Sequence, residues 1–353
     1  MKQVKYSCKF VSFVVKLLFM KIVIVTPAAA RVRNGNRNTA QRWANFLRQL
    51  GHRVSVQVEW DGTRADLMLA LHARRSYDSI KRFAERCPEL PLIVTLTGTD
   101  LYRDIKVDSK AQESMRLATR LVVLQEMGLN ELAQPLRAKT HVIYQSARPV
   151  KFAHPSKRYF EVCVIGNLRE EKDPFRSALA AALLPESSAI HICHMGRALN
   201  DDMARQAQAL MEKNPRYRWL GELPHSRVRN KLTRCRLMVI SSIMEGGANV
   251  VSESLAAGIP VIASDISGNI GMLGADYAGY YPCGNELALA ELLHHAETSP
   301  EFYGLLKAQC AKRGPLVEPE QELAGLERLI AAAAVISSST DGPSPLPRAG
   351  TAS

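Results

Sequence analysis

Short apolar runs that alternate with helical segments along the 353 residues constrain the fold more than any other feature of the sequence. The run KIVIVTPA, residues 21–28, is β-branched and ends in Pro and small residues, a pattern typical of a buried parallel strand that opens into a loop. A Gly-containing loop, a helix from about Thr39 to Leu50 and a stop at Gly51 follow. Because parallel strands need crossover connections, this alternation predicts a doubly wound α/β sheet.

The alternation occurs twice, in two series of similar length. The first continues through RVSVQVEW, DLMLALHA, PLIVTLTG, RLVVLQ and THVIYQ, and the second runs through FEVCVIGN, AIHICHMG, YRWLG, RLMVISS, PVIAS and GYYP. Between them, residues 147–159 hold two prolines and four basic residues, which indicates a linker. We therefore expect two Rossmann-like domains that face each other across a cleft, where the strands end and ligands of open α/β sheets bind.

A chain of this length is comfortable for two domains that each bury a core. Lys16 interrupts the apolar stretch near the start, and the last residues are rich in Ser, Pro and Gly. The predicted organisation is a non-native or disordered N-terminal extension at residues 1–19, a first domain at 20–150, a second domain at 151–318, a C-terminal helix at 319–335 and a disordered tail at 336–353.

The charge balance favours anionic partners. Lys and Arg number 46 against 34 Asp and Glu, so the formal net charge is +12. The basic residues cluster in short loops after predicted strands, for example Arg31, Arg33 and Arg37, which suits a small phosphate-like anion better than a duplex. A nucleic-acid binder stays open as an alternative, although no recognition-helix or RNP pattern is present, and so does a basic surface without a specific partner.

Cysteine usage and hydropathy indicate a soluble protein of the cytoplasm. The seven cysteines show no CxxC spacing, so we expect reduced thiols, no disulfide and no metal site. His191, Cys193 and His194 lie on an apolar strand-like run, where alternation sends neighbouring side chains to opposite faces, and core packing is the favoured interpretation. No segment approaches the ~18 apolar residues of a membrane span.

The most specific motif is MEGGANVVSE, between a predicted strand and a predicted helix. Glu245 and Glu253 are separated by seven residues, and Gly246 and Gly247 lie between them. N–H groups at the start of a helix suit a phosphate or sugar oxygen, and glycine lets that oxygen approach closely. The carboxylate of Glu253 can accept hydrogen bonds from both ribose hydroxyls. The alternative is a capped helix with ordinary surface acids.

Two further loops carry cations. In VIGNLREEKDPFR, Arg169 and Lys172 follow a strand, where fixed cations can stabilise the charge that grows on a departing diphosphate. In ALHARRS, Arg74 and Arg75 end a strand close to His72, and paired arginines bind phosphate-like anions bidentately. Either loop could instead be an exposed basic turn.

The MEGGANVVSE segment resembles the donor site of retaining GT-B glycosyltransferases, and the resemblance covers most of residues 20 to 329. It implies that Glu253 holds the nucleotide ribose and that Glu245 contacts the transferred sugar. Asn167 stands where this superfamily usually has Arg, so we expect Arg169 to supply that charge; Thr97 stands where many members have His. The implied catalytic residues are Lys172, Arg169 and Glu245, and the implied donor-binding residues are Asn167, Gly246, Gly247, Ala248, Asn249, Val250 and Glu253.

A narrower resemblance is carried by eight strings in order, namely GNRNTAQRWANFL, WDG, LHARRS, LTGTDLYRDI, LREEKDPFR, NPRYRWLGELP, MEGGANVVSE and GNIGMLGADYAGYYP. Together they are similar to the selenosugar synthase family of the selenoneine pathway. The resemblance implies transfer of N-acetylglucosamine or glucose from a UDP-sugar to selenophosphate, no cofactor, and a functional link to a selenophosphate synthetase. The acceptor-binding residues expected from it are Asn36, Arg37, Arg74, Arg75, Thr97, Gly98 and Thr99.

Selenium is already a strong nucleophile, so this reaction does not need the general base that a sugar hydroxyl needs. That agrees with Thr97 at the usual His position. His72 could act as a base or orient a neighbour, although a His at a strand end is more often structural. Two alternatives stay open: a GT-B glycosyltransferase with an ordinary hydroxyl acceptor, and a sugar-nucleotide-binding or nucleic-acid-binding protein without catalysis.

Overall fold

The computed structural model describes residues 19–27, 35–150, 153–156 and 158–336. The predictions for the N-terminal extension up to residue 18, for Arg31 and Arg33, and for the tail from residue 337 lie outside the described residues. In the part of the chain that is described, no helix is both long enough and apolar enough to cross a bilayer.

The first domain is built on a six-stranded parallel sheet in the order β2-β1-β3-β4-β5-β6. Its strands are β1 Lys21–Val25, β2 Arg53–Gln57, β3 Leu67–Leu71, β4 Leu92–Thr95, β5 Arg120–Val123 and β6 Thr140–Val142. Its helices are α1 Gly35–Gln49, α2 Tyr77–Arg86, α3 Ile105–Val107, α4 Ser109–Leu117 and α5 Gln134–Arg137, with a π-helical turn at Asp100–Asp104 and a 3-10 turn at Glu126–Glu131.

The second domain repeats this design with a sheet in the order β12-β11-β10-β7-β8-β9. Its strands are β7 Phe160–Ile165, β8 Ile190–Met195, β9 Tyr217–Trp219, β10 Leu237–Ile240, β11 Val261–Ser264 and β12 Tyr280–Tyr281. The helices are α6 Arg176–Ala182, α7 Asp201–Lys213, α8 His225–Leu232, α9 Asn249–Ala257, α10 Ser267–Leu273, α11 Glu286–Thr298, α12 Pro300–Arg313 and α13 Pro319–Ile336, with 3-10 turns at Glu170–Lys172 and Gly314–Val317.

Every described strand pair is parallel, which confirms the predicted α/β class with two Rossmann-like sheets. The direction of strand succession reverses between β1 and β3 in the first sheet and between β7 and β10 in the second. Ligands of such sheets bind at the reversal, beyond the carboxyl ends of the two strands. The loops after β3, β7 and β10 are therefore the segments that the fold places at ligand-binding positions.

The prediction for the first helix was wrong at its start. We expected a loop up to Thr39, whereas α1 begins at Gly35, so Asn36 and Arg37 lie in its first turn. The side-chain Oγ1 of Thr39 donates to the carbonyl oxygen of Gly35 at 2.9 Å, which supports this additional turn.

The C-terminal helix α13 packs on the first domain although it follows the second in sequence. Leu326, Leu329 and Ile330 are buried in one cluster with Trp43 and Leu47 of α1. Arg120 Nη2, at the start of β5, donates to the carbonyl oxygen of Ala332 at 2.9 Å. The last helix therefore completes the core of the first domain and ties the chain's end back to it.

Leu329→Ala tests this packing. The Leu329 side chain is fully buried between α13 and the first sheet, so its truncation leaves a cavity that lowers the free energy of unfolding by about 2 to 5 kcal/mol. Denaturant unfolding followed by circular dichroism measures the change, with Glu327→Ala on the exposed side of α13 as the control. Equal stability of the two variants would contradict the packing of α13 on this core.

Candidate functional site

Lys172 and Glu245 meet at the reversal point of the second sheet. Lys172 ends the 3-10 turn after β7, and Glu245 lies in the loop after β10, so the strand order brings the two together. Lys172 Nζ is bonded to Glu245 Oε1, which also accepts a hydrogen bond from Ser242 Oγ at 2.6 Å. The Ser241 hydroxyl donates to the carbonyl oxygen of Asp173 at 2.9 Å, and this hydrogen bond fixes the end of the 3-10 turn that carries Lys172.

The neighbouring residues of the β7 loop have different surroundings. Asn167 Oδ1 accepts a hydrogen bond from the backbone N–H of Arg197 at 3.0 Å, so this side chain joins the loop after β7 to the loop after β8. Arg169 is partly buried at the residue before the 3-10 turn, and its carbonyl oxygen accepts from the N–H of Lys172 at 3.0 Å. The loop thus presents two cations, of which Lys172 is the one bonded to Glu245.

Helix α9 begins immediately after the glycines of the β10 loop. Its N-cap residue, Ala248, provides no side-chain cap, so the first N–H groups of the helix are not capped by that residue. Glu253 is the fifth residue of α9, and its carboxylate Oε1 is 2.8 Å from His225 Nε2 at the start of α8. Asn249, Gly247 and Val250 are partly buried, whereas Gly246 and Ala248 are buried.

In the first domain, the turn Thr97–Thr99 after β4 is fixed by Asp100. Asp100 Oδ1 accepts hydrogen bonds from the Thr97 N–H at 2.6 Å and from Thr97 Oγ1 at 3.0 Å. Asp100 Oδ2 accepts from the N–H of Ala73 at 2.7 Å, which joins the β3 and β4 loops. Asp100 is fully buried, and this burial raises its pKa.

His72 lies between these two loops and is also buried. Its φ of 74° is in the left-handed region, which is uncommon for a residue other than glycine and is found mainly at functional or tightly constrained sites. His72 Nε2 is 3.2 Å from Thr99 Oγ1, and Nδ1 is 3.7 Å from Asp100 Oδ2. Burial lowers the pKa of His72, so the ring is neutral near pH 7 and orients the Thr99 hydroxyl.

The arginines of the β3 loop differ from each other. Arg74 Nε donates to Asp104 Oδ2 at 2.8 Å, and Arg103 Nε donates to the other oxygen of the same carboxylate at 3.3 Å. Arg75 is exposed beside them. Asp104 is buried, so it holds the guanidinium groups of Arg74 and Arg103 next to each other at the edge of the cleft.

The two sets of loops touch at two glycines. A Cβ atom on Gly246 would lie 2.5 Å from the backbone nitrogen of Gly98, and one on Gly98 would lie 3.1 Å from the nitrogen of Gly246. Gly247 packs in the same way against Leu124 after β5, where a Cβ would be 2.6 Å from the Leu124 Cβ. The Thr97–Thr99 turn of the first domain is therefore in backbone contact with the Glu245 loop of the second.

The start of α1 is also close to the second domain. A Cβ atom on Gly35 would lie 3.8 Å from Asn249 Nδ2, and Arg42 Nη1 donates to Asn249 Oδ1 at 3.2 Å. Asn36 and Arg37, both partly buried, follow Gly35 on the first turn of α1. Of the predicted acceptor-binding residues, these two therefore approach the start of α9, whereas Thr97–Thr99 approach Glu245.

The two histidines of β8, His191 and His194, contact different groups. His194 is buried, with Nδ1 2.9 Å from the Tyr217 hydroxyl and Nε2 3.0 Å from the carbonyl oxygen of Gly166, and this burial lowers its pKa to about 4. His191 is partly buried, and its ring packs against that of Tyr159 with the centroids 4.1 Å apart and the planes tilted by 56°. Within the described residues, no group of three or more His, Cys, Asp or Glu is arranged to hold a metal ion.

Comparison with known proteins bears on the second domain and on the fold. Residues 148–314 match the family described as Glycosyl transferases group 1. The matched segment contains Lys172, Glu245 and Glu253. A search among curated proteins gave no significant match.

Solved structures show the same fold over almost the whole chain. Anabaena Alr3699/HepE in complex with UDP and glucose is similar with a TM-score of 0.72 at 15% identity, over 89% of this chain and 100% of that chain. The same protein in complex with UDP-glucose is similar with a TM-score of 0.68 at 16% identity, over 90% and 100%. Sucrose-phosphate synthase from Thermosynechococcus elongatus is similar with a TM-score of 0.70 at 14% identity, over 88% and 98%. The two domains therefore form a GT-B fold.

Four residues near the site, Asp100, Arg103, Asp104 and Arg42, were not predicted from the sequence. Asp100 had a usable signal, since an acid three residues after Thr97 is the spacing with which a side chain caps a turn. Asp104 and Arg103 lie in a π-helical turn, a rare conformation that is frequent at functional sites but has no sequence signature here. Arg42 reads as an ordinary polar residue on an amphipathic helix.

Gly246→Ala tests the contact between the second domain and the first domain. The added methyl group cannot fit 2.5 Å from the backbone of Gly98, so the domains must separate at this point. We expect a larger radius of gyration by small-angle scattering with little change in the melting temperature. Gly304→Ala is the control, because a Cβ there meets nothing within 4 Å. Identical scattering for both variants would contradict the close approach.

Proposed function

We propose that this protein is a glycosyltransferase that joins the sugar of a UDP-sugar to selenophosphate. The bond between the anomeric carbon and the UDP oxygen breaks, a carbon–selenium bond forms, and UDP leaves. Water then cleaves the selenium–phosphorus bond, which yields a 1-selenosugar and phosphate. The observation that carries the proposal is the contact of the Thr97–Thr99 turn with the Glu245 loop of the second domain, together with the pair of arginines, Arg74 and Arg103, that Asp104 binds in the same domain as the turn.

The donor half of the proposal rests on the second domain. Its match to group 1 glycosyl transferases and the complexes of similar structures with UDP and UDP-glucose favour a nucleotide-sugar ligand. The uncapped start of α9 offers N–H groups to the diphosphate or sugar oxygens. Glu253 would accept from the ribose hydroxyls once His225 releases one carboxylate oxygen or shares it.

Lys172 and Glu245 would act together on the donor. Both hydrogen bonds that Glu245 accepts from Lys172 and Ser242 go to Oε1, so Oε2 is the oxygen for a sugar hydroxyl. The ammonium of Lys172 is held beside the position where the leaving diphosphate gains charge. A fixed cation in a partly buried site stabilises that charge more strongly in the transition state than in the ground state.

The acceptor half rests on the first domain. Selenophosphate is a small oxyanion. The buried carboxylate of Asp104 binds two guanidinium groups, those of Arg74 and Arg103, and the exposed Arg75 follows Arg74 in the chain. The cluster therefore has a surplus of positive charge for an anion to neutralise. His72 is buried and its ring is bonded to Thr99, and burial lowers its pKa and so makes it a weaker base, which fits a nucleophile that needs no general base.

The acceptor is identified by mass spectrometry of the products. The full chain is incubated with UDP-glucose or UDP-N-acetylglucosamine together with selenophosphate, phosphate or a panel of sugar hydroxyl acceptors. We expect a selenosugar and UDP only with selenophosphate. Arg75→Ala should raise the KM for selenophosphate by roughly 10-fold and leave the KM for the UDP-sugar unchanged, since a charged contact to the acceptor is lost.

Arg116→Ala is the matched control for Arg75→Ala, because Arg116 is an exposed arginine of the same domain. If products form only with hydroxyl acceptors, the acceptor is an ordinary sugar hydroxyl and not selenophosphate. No consumption of UDP-sugar with any acceptor, together with salt-dependent polynucleotide binding, would contradict glycosyl transfer altogether.

Lys172→Ala tests the role at the leaving group. We expect kcat to fall by about 10²- to 10³-fold with a smaller change in KM, because the lost contact is strongest in the transition state. Steady-state UDP release measures both constants. Lys106→Ala, which breaks an exposed ion pair with Glu131, is the control. A kcat within about threefold of the parent protein would remove Lys172 from the leaving-group site.

A further inference from the structure

A buried carboxylate at the junction of the two domains organises residues from three parts of the chain. Glu322 of α13 has a fully buried side chain. It accepts hydrogen bonds from Trp43 Nε1 at 2.6 Å, from the Ser146 N–H at 2.8 Å and from Ser146 Oγ at 2.5 Å. The charge is balanced by Arg42, whose Nε is 2.8 Å from Oε2 and 3.1 Å from Oε1.

This carboxylate fixes the orientation of Arg42. With Nε directed at Glu322, the far end of the guanidinium extends from α1 across the junction to the first residue of α9. There Nη1 donates to Asn249 Oδ1 at 3.2 Å. Nη2 is buried and has no acceptor within hydrogen-bond distance among the described residues, so Asn249 is the group to which this end is bonded.

The contact decides which way the amide of Asn249 faces. A guanidinium has donors only, so it must meet the amide oxygen, and the amide nitrogen then points away from Arg42. Nδ2 is thereby presented as a donor at the uncapped start of α9, on the side that approaches Gly35 at the start of α1, where a Cβ atom on Gly35 would lie 3.8 Å from it. A donor at the start of a helix adds to the N–H groups that favour an anion there.

We propose that Arg42 is a positioning residue for the sugar-nucleotide site, which turns the Asn249 amide so that Nδ2 donates to a diphosphate oxygen of the bound UDP-sugar. The inference rests on the proposed function, because it requires the UDP-sugar to bind at the start of α9. Arg42 belongs to the first domain and Asn249 to the second, so the donor contact is complete only when the domains are as close as they are here. The first domain thus contributes to donor binding without touching the donor.

The test is a double-mutant cycle read by calorimetry of UDP and UDP-glucose, which needs no acceptor. Arg42→Ala should weaken both ligands by roughly 10-fold, the effect of one hydrogen bond to a charged group. In the Asn249→Ala background the same change should weaken them no further than about twofold, because the residue that Arg42 acts through is gone. Arg48→Ala, on an exposed part of the same helix, is the matched control and should bind like the parent.

Asn249→Asp covers the case in which Arg42→Ala fails to fold. It keeps an oxygen for Arg42 but replaces Nδ2 by a second oxygen, so UDP affinity should fall at least as far as in Asn249→Ala. Tighter or unchanged UDP binding by Asn249→Asp would overturn the proposed orientation. If Arg42→Ala weakens UDP binding equally in the parent protein and in the Asn249→Ala variant, Arg42 does not act through Asn249 and its role is only structural. A parent protein that binds neither ligand would instead contradict the proposed function itself, and with it this inference.

Discussion

The contact between Gly98 and Gly246 is the constraint on which the arrangement of the site depends. Two Rossmann-like sheets present their strand-end loops to one cleft, and these loops meet backbone to backbone because neither position carries a side chain. A Cβ atom on Gly246 would lie 2.5 Å from the Gly98 nitrogen and would keep the Thr97–Thr99 turn away from Glu245, whereas one on Gly98, at 3.1 Å from the Gly246 nitrogen, would require a smaller shift. The distance between the groups expected to hold acceptor and donor is therefore set by the absence of two Cβ atoms.

The charges near the cleft are arranged in a consistent way: carboxylates are buried and cations reach towards the opening. Asp104 orients Arg74 and Arg103, and Glu245 orients Lys172. A buried carboxylate with cationic and N–H partners restrains side chains that would otherwise move freely in solvent. Such cations are already in position when an anion arrives, so less conformational entropy is lost on binding.

Much of the fold was predictable because its signals are local. Runs such as KIVIV and LMLAL are apolar on both faces, which is typical of strands in a parallel sheet that helices cover on both sides. The helices between these runs are the crossover connections that parallel strands need. Lys172 and Glu245 could be placed at one site for the same reason, since strand order brings their loops together. The start of α1 was misjudged because a Gly and three Asn read as a loop, although Thr39 stabilises the turn.

Pairings between distant segments could not be predicted in this way. Arg74 and its partner Asp104 are 30 residues apart, and the π-helical turn that brings Asp104 inward has no recognisable pattern. Arg42 and Glu322 are 280 residues apart, and their meeting depends on the return of α13 to the first domain. That return buries a charge, which is favourable only when all its partners are present.

The hydrogen bonds of Glu322 are directional, so they hold α1, Ser146 and α13 in one relative orientation. An apolar contact would allow these segments to slide. Helix α13 therefore moves with the first domain, so a change in domain separation must be taken up where the chain crosses between the domains, which on the C-terminal side is at residues 314–318.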